Sequence, residues 1–283
     1  MKELQITYLA PISLIFNNEK FIHPLSRKLS GWREPVPIIL KAGGELDINC
    51  DMGEGIGNDE LIMPFVTSAS IACGFHAGDE DSMKRTVELA MKYNVSIGAH
   101  PSYPDRENFG RTDIRIPLSE VYDLVTKQIH LLNEITKTAG ASLHHVKPHG
   151  ALYNMAARAK PLAAVIALAV KDVDEKLKLY GLSGSHLINE AKKIGLKEVN
   201  EVFADRTYQD DGRLTPRSKP EALINDADKV VQQILQMLKE GTVTTVTGKI
   251  IPIVAETICI HGDGEHAVEF AKAIHNAIGK LSG

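Results

Sequence analysis

The sequence has few cysteines and few aromatic residues, and this scarcity already excludes some protein classes. Among 283 residues there are three cysteines and one tryptophan, and Phe, Trp and Tyr together make up 5%. Cys50, Cys73 and Cys259 are far apart, form no Cys-x-x-Cys pair and lie within apolar segments. Such an odd, sparse set does not indicate a disulfide framework, so we expect buried thiols and a cytoplasmic location.

Long hydrophobic runs are also missing. No segment reaches the roughly 20 consecutive apolar residues that a transmembrane helix needs. The apolar segment Ile6–Phe16 is short and contains Pro11, and Glu3 lies where a signal peptide carries positive charge. We therefore predict neither a membrane span nor a cleaved signal peptide.

Basic charge is not in excess either. Lys and Arg number 32 against 36 Asp and Glu, which gives a formal net charge of −4. The 43% hydrophobic and 24% charged residues are ordinary for a globular protein. A mildly acidic chain without a basic block is a poor partner for nucleic acid or an anionic membrane, so we expect a small-molecule substrate. A homo-oligomer remains open.

The first 44 residues differ from the rest of the chain. They contain four prolines and the only tryptophan, Trp32, and show no clear helical period. We predict that residues 1–44 are an N-terminal extension, loosely packed, and that residues 45–283 form one catalytic domain.

From Leu46 onward, short β-like segments alternate with amphipathic helical segments. The predicted strands are Leu46–Cys50, Ser68–Cys73, Val95–Ala99, Leu143–Lys147, Leu177–Leu182, Glu198–Ala204 and Thr257–His261. The predicted helices are Asp81–Asn94, Ser119–Ala139, Ala157–Val170, Ser185–Ile194, Pro220–Lys239 and Asp263–Ile278, and Val243–Ile253 is predicted as a hairpin. Regular alternation of this kind gives parallel strands with right-handed crossovers.

The strands decide between an open sheet and a barrel. Period two places Asp47, Asn49 and Asp51 on one face of the first strand, opposite its apolar residues. Strands of an open parallel sheet are buried on both faces and read as continuous apolar runs. The sequence therefore predicts an α/β fold, a distorted, roughly seven-stranded parallel β/α barrel with its site at the carboxyl ends of the strands.

Polar clusters follow nearly every predicted strand at the same topological position. Each such residue taken alone is as well explained as a turn residue or a helix N-cap, and Asp79 and Asp263 both suit N-caps. Recurrence around one barrel mouth favours a site, because burying unpaired charge without function is costly. Candidate catalytic residues are Asp51, Lys147, His149, Asp205, Arg206 and His261. Candidate substrate-binding residues are Asp47, Asn49, Glu54, His76, Asp79, His100, Arg111 and Asp263.

The residue types suit hydrolysis of a small anionic substrate. Lys147 and Arg206 can hold a carboxylate or a phosphoryl group, whereas Asp51, His149 and His261 can transfer protons. A divalent metal ion on Asp51, His76 and His100 is left open, because no tight ligand spacing is present. The glycine patterns match neither a dinucleotide-binding turn nor a Walker A loop.

Six segments in this order resemble the LamB/YcsF family. They are LDINCDMGE, IACGFHAGD, IGAHPSYPD, HVKPHGALYN, EVFADRTYQDDGRL and ICIHGDG, within residues 46–281. The resemblance implies a β/α barrel of the glycoside hydrolase/deacetylase type. It also implies ATP-dependent opening of the 5-oxo-L-proline lactam to L-glutamate, with ATP and Mg²⁺ as cofactors. The resemblance further implies that the chain is one component of a 5-oxoprolinase and that its partners are the B and C subunits of that enzyme.

Two other functions remain open from the sequence. One is a stand-alone, metal-dependent amide or ester hydrolase that needs no ATP, which a tightly bound zinc ion would favour. The other is a non-catalytic subunit that binds 5-oxoproline for its partners. The missing P-loop fits either an unusual ATP site here or an ATP site on a partner.

Overall fold

The computed structural model describes residues 46–279 of the chain. The predicted extension over residues 1–44 lies outside the described residues, so the domain boundary at residue 45 stays a prediction. Between residues 46 and 279, no helix is both long enough and apolar enough to cross a bilayer.

Within the described residues, seven parallel strands close into a barrel, which confirms the predicted fold. The strands are β1 Asp47–Met52, β2 Ser68–Ala72, β3 Ser96–His100, β4 Leu143–Val146, β5 Lys178–Leu182, β6 Lys197–Phe203 and β9 Thr257–Ile260. Neighbours follow chain order from β1 to β6, and β9 pairs with both β6 and β1 to close the ring. The predicted insertion is a separate antiparallel hairpin of β7 (Thr242–Thr244) and β8 (Ile250–Pro252).

The described part of the chain has eight α-helices. They are α1 Asp59–Ile62, α2 Glu80–Lys92, α3 Leu118–Thr138, α4 Gly150–Arg158, α5 Lys160–Val173, α6 His186–Lys193, α7 Ala227–Glu240 and α8 Ala267–Gly279. Their apolar stripes are buried: α2 buries Met83, Val87 and Ala90. Met91, predicted on the same stripe, is exposed instead.

Two predicted helices are corrected. The predicted helix Ala157–Val170 contains the last two residues of α4 and most of α5, which the extended residue Ala159 separates, and the rest of α4 was not predicted. Pro161 lies in the first turn of α5, where its missing N–H is tolerated, but it could not continue α4. The segment predicted to be helical from Pro220 begins as a 3-10 turn, and α7 starts only after Asp226, whose carboxylate accepts from the Lys229 amide at 2.9 Å.

The barrel interior is lined by polar side chains rather than apolar ones. At its amino-terminal end, the Asp47 carboxylate accepts hydrogen bonds from Ser68 and Thr257. One step further in, the buried His145 ring stacks on Tyr180 with centroids 4.1 Å apart. Gly98 of β3 makes room for that ring, since a Cβ there would lie 2.2 Å from it. The helices therefore pack on the apolar outer face of the strands, and the chemistry lies inside.

Candidate functional site

Lys147 occupies the centre of the barrel, directly after β4. Its ammonium nitrogen lies 2.8 Å from Asp51 Oδ1 and 2.8 Å from Glu201 Oε1. It also donates to Asn49 Oδ1 at 2.9 Å and contacts Cys259 Sγ at 3.0 Å. Burial alone would lower the pKa of Lys147, but the charges around it, Asp51 foremost, hold that pKa well above its usual value. The lysine is therefore charged.

The strand pleat explains why these partners meet. Asn49 of β1 lies beside Cys259 of β9, and Glu201 of β6 lies beside Thr257 of β9, so inward positions of adjacent strands converge. Glu201 accepts from Asn49 Nδ2 at 2.9 Å and from the Tyr153 hydroxyl at 2.7 Å. Glu201 and Cys259 lie within predicted strands, but neither was predicted as a site residue. Tyr153, which comes from α4, was missed altogether.

Asp51 contacts both Lys147 and a histidine nearer the cavity mouth. Its Oδ2 lies 3.3 Å from His100 Nε2. Although burial raises the pKa of Asp51, the charges of His100 and Lys147 outweigh that effect and hold the pKa well below its usual value. Asp51 is therefore an ionised carboxylate at the base of the mouth.

Four buried residues form a tight cluster at the carboxyl ends of β1 to β4; we call it the three-histidine cluster. Its members are Glu54, His76, His100 and His149. Their nearest nitrogen and oxygen atoms all lie within 4.8 Å of one another, and Asp51, Cys259 and His261 form a second such set. The predicted metal trio is thus divided: His76 and His100 lie with Glu54 and His149, and Asp51 belongs to the other set.

The surroundings of the three-histidine cluster favour uncharged groups. Burial, followed by the His100 charge, lowers the pKa of His76 to about 2. Burial, followed by the His76 charge, lowers the pKa of His149 well below its usual value. Burial and the neighbouring Asp51 charge raise the pKa of Glu54. His76 and His149 are thus poor at holding protons as cations and well suited to present lone pairs, whereas the surroundings of Glu54 favour its protonated form.

His261 and Asp205 form a separate pair. His261 Nδ1 lies 2.8 Å and 3.0 Å from the two Asp205 oxygens, and Phe203 stacks on the imidazole ring. Burial raises the pKa of Asp205, but the charge and hydrogen bond of His261 bring it below its usual value. A carboxylate that holds one ring nitrogen orients the other for proton transfer.

A cavity of about 460 Å³ opens above these groups. Asp51, Lys147 and His261 line its base. Its walls include a set of arginines that we call the arginine rim, namely Arg111, Arg158, Arg206, Arg213 and Arg217. Burial and the nearby Arg217 charge lower the pKa of Arg206 to about 10, and its guanidinium donates to the Thr215 carbonyl at 2.6 Å. The cavity therefore suits a small anion.

Of the eight predicted binding residues, His100 and Arg111 line this cavity, and Asp47 and Asp79 lie far from it. Asp47 is at the amino-terminal end of β1, inside the opposite end of the barrel. Asp79 is the N-cap of α2, where it forms a capping box with Ser82. Asp263, also suggested as an N-cap, instead pairs with Arg111 at the mouth. Alternation along β1 places both Asp47 and Asp51 inside the barrel. It does not show that the two side chains lie at different depths.

The chain is similar to known proteins over nearly the whole barrel. A family model described as the LamB/YcsF family matches residues 46–282. A protein of Tolumonas auensis, named as the A subunit of 5-oxoprolinase, is 53% identical over 239 residues, covering 83% of this chain and 95% of that protein. A protein of Bordetella pertussis with the same name is 52% identical over 238 residues, covering 82% and 94%.

A solved structure agrees with the fold. The lactam utilization protein of Thermus thermophilus is 40% identical, with a TM-score of 0.78, covering 84% of this chain and 98% of that one. The family model spans nearly all of the described barrel, and the relatives match it at more than half of their positions. The chain therefore belongs to the LamB/YcsF family.

Proposed function

We propose that this chain is the subunit of an ATP-dependent 5-oxoprolinase that contains the lactam-opening site. The reaction converts 5-oxo-L-proline, ATP and two waters to L-glutamate, ADP and phosphate. The main support is one cavity with an arginine rim above the ionised Asp51 and Lys147. The relatives, which are named as components of 5-oxoprolinase, agree with this substrate.

The chemistry explains why ATP is required. An amide carbonyl is a poor electrophile, and a five-membered lactam recloses readily. Phosphorylation of the amide oxygen makes the ring carbon reactive toward water. Water then adds to that carbon, the ring C–N bond breaks, the amine gains a proton, and hydrolysis releases phosphate.

The proposal gives each group at the cavity a specific task. Lys147 stabilises the negative charge of the phosphoryl group on the amide oxygen and of the oxygen that the attacking water brings, since a buried fixed cation does so without reorganisation. The His261–Asp205 pair, together with Asp51, accepts the proton of the attacking water. The arginine rim, including Arg111 and Arg206, binds the substrate carboxylate and the phosphoryl group.

Phosphoryl transfer from ATP is proposed to need the complete enzyme, with its B and C subunits. The sequence contains no Walker A loop, in which backbone amides cradle the phosphates of a nucleotide. Mg²⁺ would accompany ATP as it does in other phosphoryl transfers. This chain then supplies the pocket in which the activated lactam is opened.

Glutamate release from 5-oxoproline with ATP and Mg²⁺ tests the proposal, first with this chain alone and then with the B and C subunits. We expect activity only in the full mixture. Lys147→Met should lower kcat by about 10²–10³-fold, the usual cost of losing one oxyanion-stabilising group. Lys84→Met, on the exposed face of α2, is the matched control.

The outcomes separate the alternatives. Glutamate production by this chain alone would place both the ATP site and the lactam site in this barrel. A Lys147→Met complex that is folded and fully active would refute the proposed site. No glutamate from a correctly assembled mixture would favour the ATP-independent amide or ester hydrolase, which the three-histidine cluster also supports.

A further inference from the structure

We infer that the three-histidine cluster binds one divalent transition-metal ion, zinc foremost. Glu54 Oε1 lies 3.1 Å from His76 Nε2, 3.5 Å from His149 Nδ1 and 4.0 Å from His100 Nε2. His100 Nε2 and His149 Nδ1 are 2.8 Å apart. A tetrahedral zinc ion with bonds of about 2.0–2.1 Å keeps its ligand atoms about 3.3–3.4 Å apart. The observed spacings bracket that value, so small side-chain shifts complete the site.

Hydrogen bonds on the outer side of the rings fix which nitrogens face inward. His100 Nδ1 lies 2.7 Å from the Lys147 carbonyl oxygen, and His149 Nε2 lies 2.9 Å from the Phe109 carbonyl oxygen. A carbonyl oxygen only accepts, so both of these ring nitrogens carry hydrogen. The inward nitrogens of the two rings, His100 Nε2 and His149 Nδ1, are therefore the atoms that can bind an ion.

These two nitrogens lie 2.8 Å apart, and without an ion a shared proton satisfies the contact. A second proton between Glu54 Oε1 and His76 Nε2, which lie 3.1 Å apart, satisfies the other two atoms. A metal ion uses all four atoms. Three imidazoles and one carboxylate form a donor set that suits zinc and its neighbours, whereas Mg²⁺ and Ca²⁺ prefer oxygen ligands alone.

The protein also holds the rings in place, as metal sites commonly do. His76 Nδ1 hydrogen-bonds Ser102 Oγ at 2.8 Å, and the His76 and His149 rings stack with centroids 3.8 Å apart. Gly110 has a φ of +66° and packs closely on both residues, since a Cβ there would lie 2.8 Å from His76 Cβ and 2.9 Å from the His149 ring. The site is thus built before any ion arrives, and it does not depend on the proposed lactam reaction.

Metal titration of the purified full chain tests the inference. The protein is stripped with a chelator and titrated by calorimetry with Zn²⁺, with Mg²⁺ as the comparison ion. Co²⁺ then serves as a spectroscopic probe, because tetrahedral and octahedral Co²⁺ differ in visible absorption. We expect one Zn²⁺ per chain and a tetrahedral Co²⁺ spectrum. His76→Asn should weaken Zn²⁺ binding by about tenfold or more.

The controls separate metal binding from general damage. His130→Asn removes an exposed histidine of α3 and should leave Zn²⁺ affinity unchanged. Glu54→Gln keeps the side-chain volume and removes a ligand charge, so it replaces His76→Asn if that variant does not fold. Absence of Zn²⁺ binding, or equal binding by Glu54→Gln and the unaltered chain, would overturn the inference. Activity is not measured, so failure here leaves the proposed 5-oxoprolinase role intact.

Discussion

Lys147 shows how this protein keeps a full charge in the middle of a barrel. Removing an ammonium group from water costs several kcal/mol, which only close and well-placed partners offset. Here Asp51 and Glu201 each lie 2.8 Å from the ammonium nitrogen, and Asn49 accepts a hydrogen bond from it. Two carboxylates therefore surround one ammonium group. Because each of these charges is stabilised by the others, removal of one should affect the rest.

This dependence predicts the effect of Glu201→Gln. The change keeps the side-chain shape but removes one of the charges that balance Lys147. We expect a loss of about 1–3 kcal/mol in the free energy of unfolding, because Asp51 still neutralises Lys147 while glutamine cannot accept from all of the donors that Glu201 serves. Urea unfolding measures it, with Glu60→Gln as control, because the Glu60 side chain is 72% exposed. Equal urea midpoints for the two variants would show that Glu201 is not needed to hold the lysine.

At the scale of the elements, neighbouring strands share space inside the barrel. Gly98 of β3 is paired in register with His145 of β4. The absence of a side chain at Gly98 leaves the place that the imidazole ring fills, where its Nε2 hydrogen-bonds Ser70 at 3.1 Å. The two positions should therefore be coupled in any mutational test.

Gly98→Ala tests that coupling. Its Cβ would lie 2.2 Å from His145 Nε2, so the ring must move away from Ser70 and Tyr180. We expect a loss of about 1–3 kcal/mol in unfolding free energy from overpacking. The double variant Gly98→Ala/His145→Ala should lose less than the sum of the single changes, because the clash is gone. Strictly additive losses in urea unfolding would argue against the shared space.

Much of the fold could be predicted from sequence because the strands have a clear period of two. Asn49 and Asp51 in β1 already pointed to a polar interior, and the closed seven-stranded barrel confirms it. The break between α4 and α5 was missed because the apolar pattern continues through Ala159, although Pro161 could have marked it.

The grouping of site residues was harder to predict. Glu54 comes from the loop after β1, and His149 is the residue before α4, so their meeting depends on loop geometry. The positions of the polar residues along each strand predicted a site at the carboxyl ends of the strands. They did not predict how deep inside the barrel each side chain lies. Consequently Asp47 was grouped with Asp51, and Arg158, Arg213 and Arg217 of the rim were not expected.

For the molecule as a whole, an acidic net charge coexists with a cluster of arginines at the cavity mouth. The chain has a formal charge of −4, yet the cavity mouth has five arginines. Some of these are balanced by Asp113, Asp211 and Asp263 through ion pairs. A cleft lined mainly by one sign of charge concentrates ligands of the other sign. Composition alone therefore understated how well this protein suits a small anion.

The buried histidines make the stability of the whole molecule depend on pH. Burial, followed by the His144 charge, lowers the pKa of His145 well below its usual value, so the native barrel keeps that ring neutral. In the unfolded chain a histidine titrates near pH 6.5, so below that pH the unfolded state binds the extra proton. This contribution to stability is therefore complete above about pH 6.5 and declines as the pH falls toward the native pKa.

Urea unfolding from pH 7.5 to pH 5 measures this decline. Each such histidine should cost up to about 1.4 kcal/mol in unfolding free energy per pH unit below its unfolded pKa. His145→Gln removes one titrating group, so its stability should fall with a shallower slope than that of the unaltered chain. His130→Gln, at an exposed position of α3, is the matched control for a histidine outside the barrel interior. Parallel pH profiles for the unaltered chain and His145→Gln would mean that the native barrel accepts a protonated His145, contrary to the dense polar packing around it.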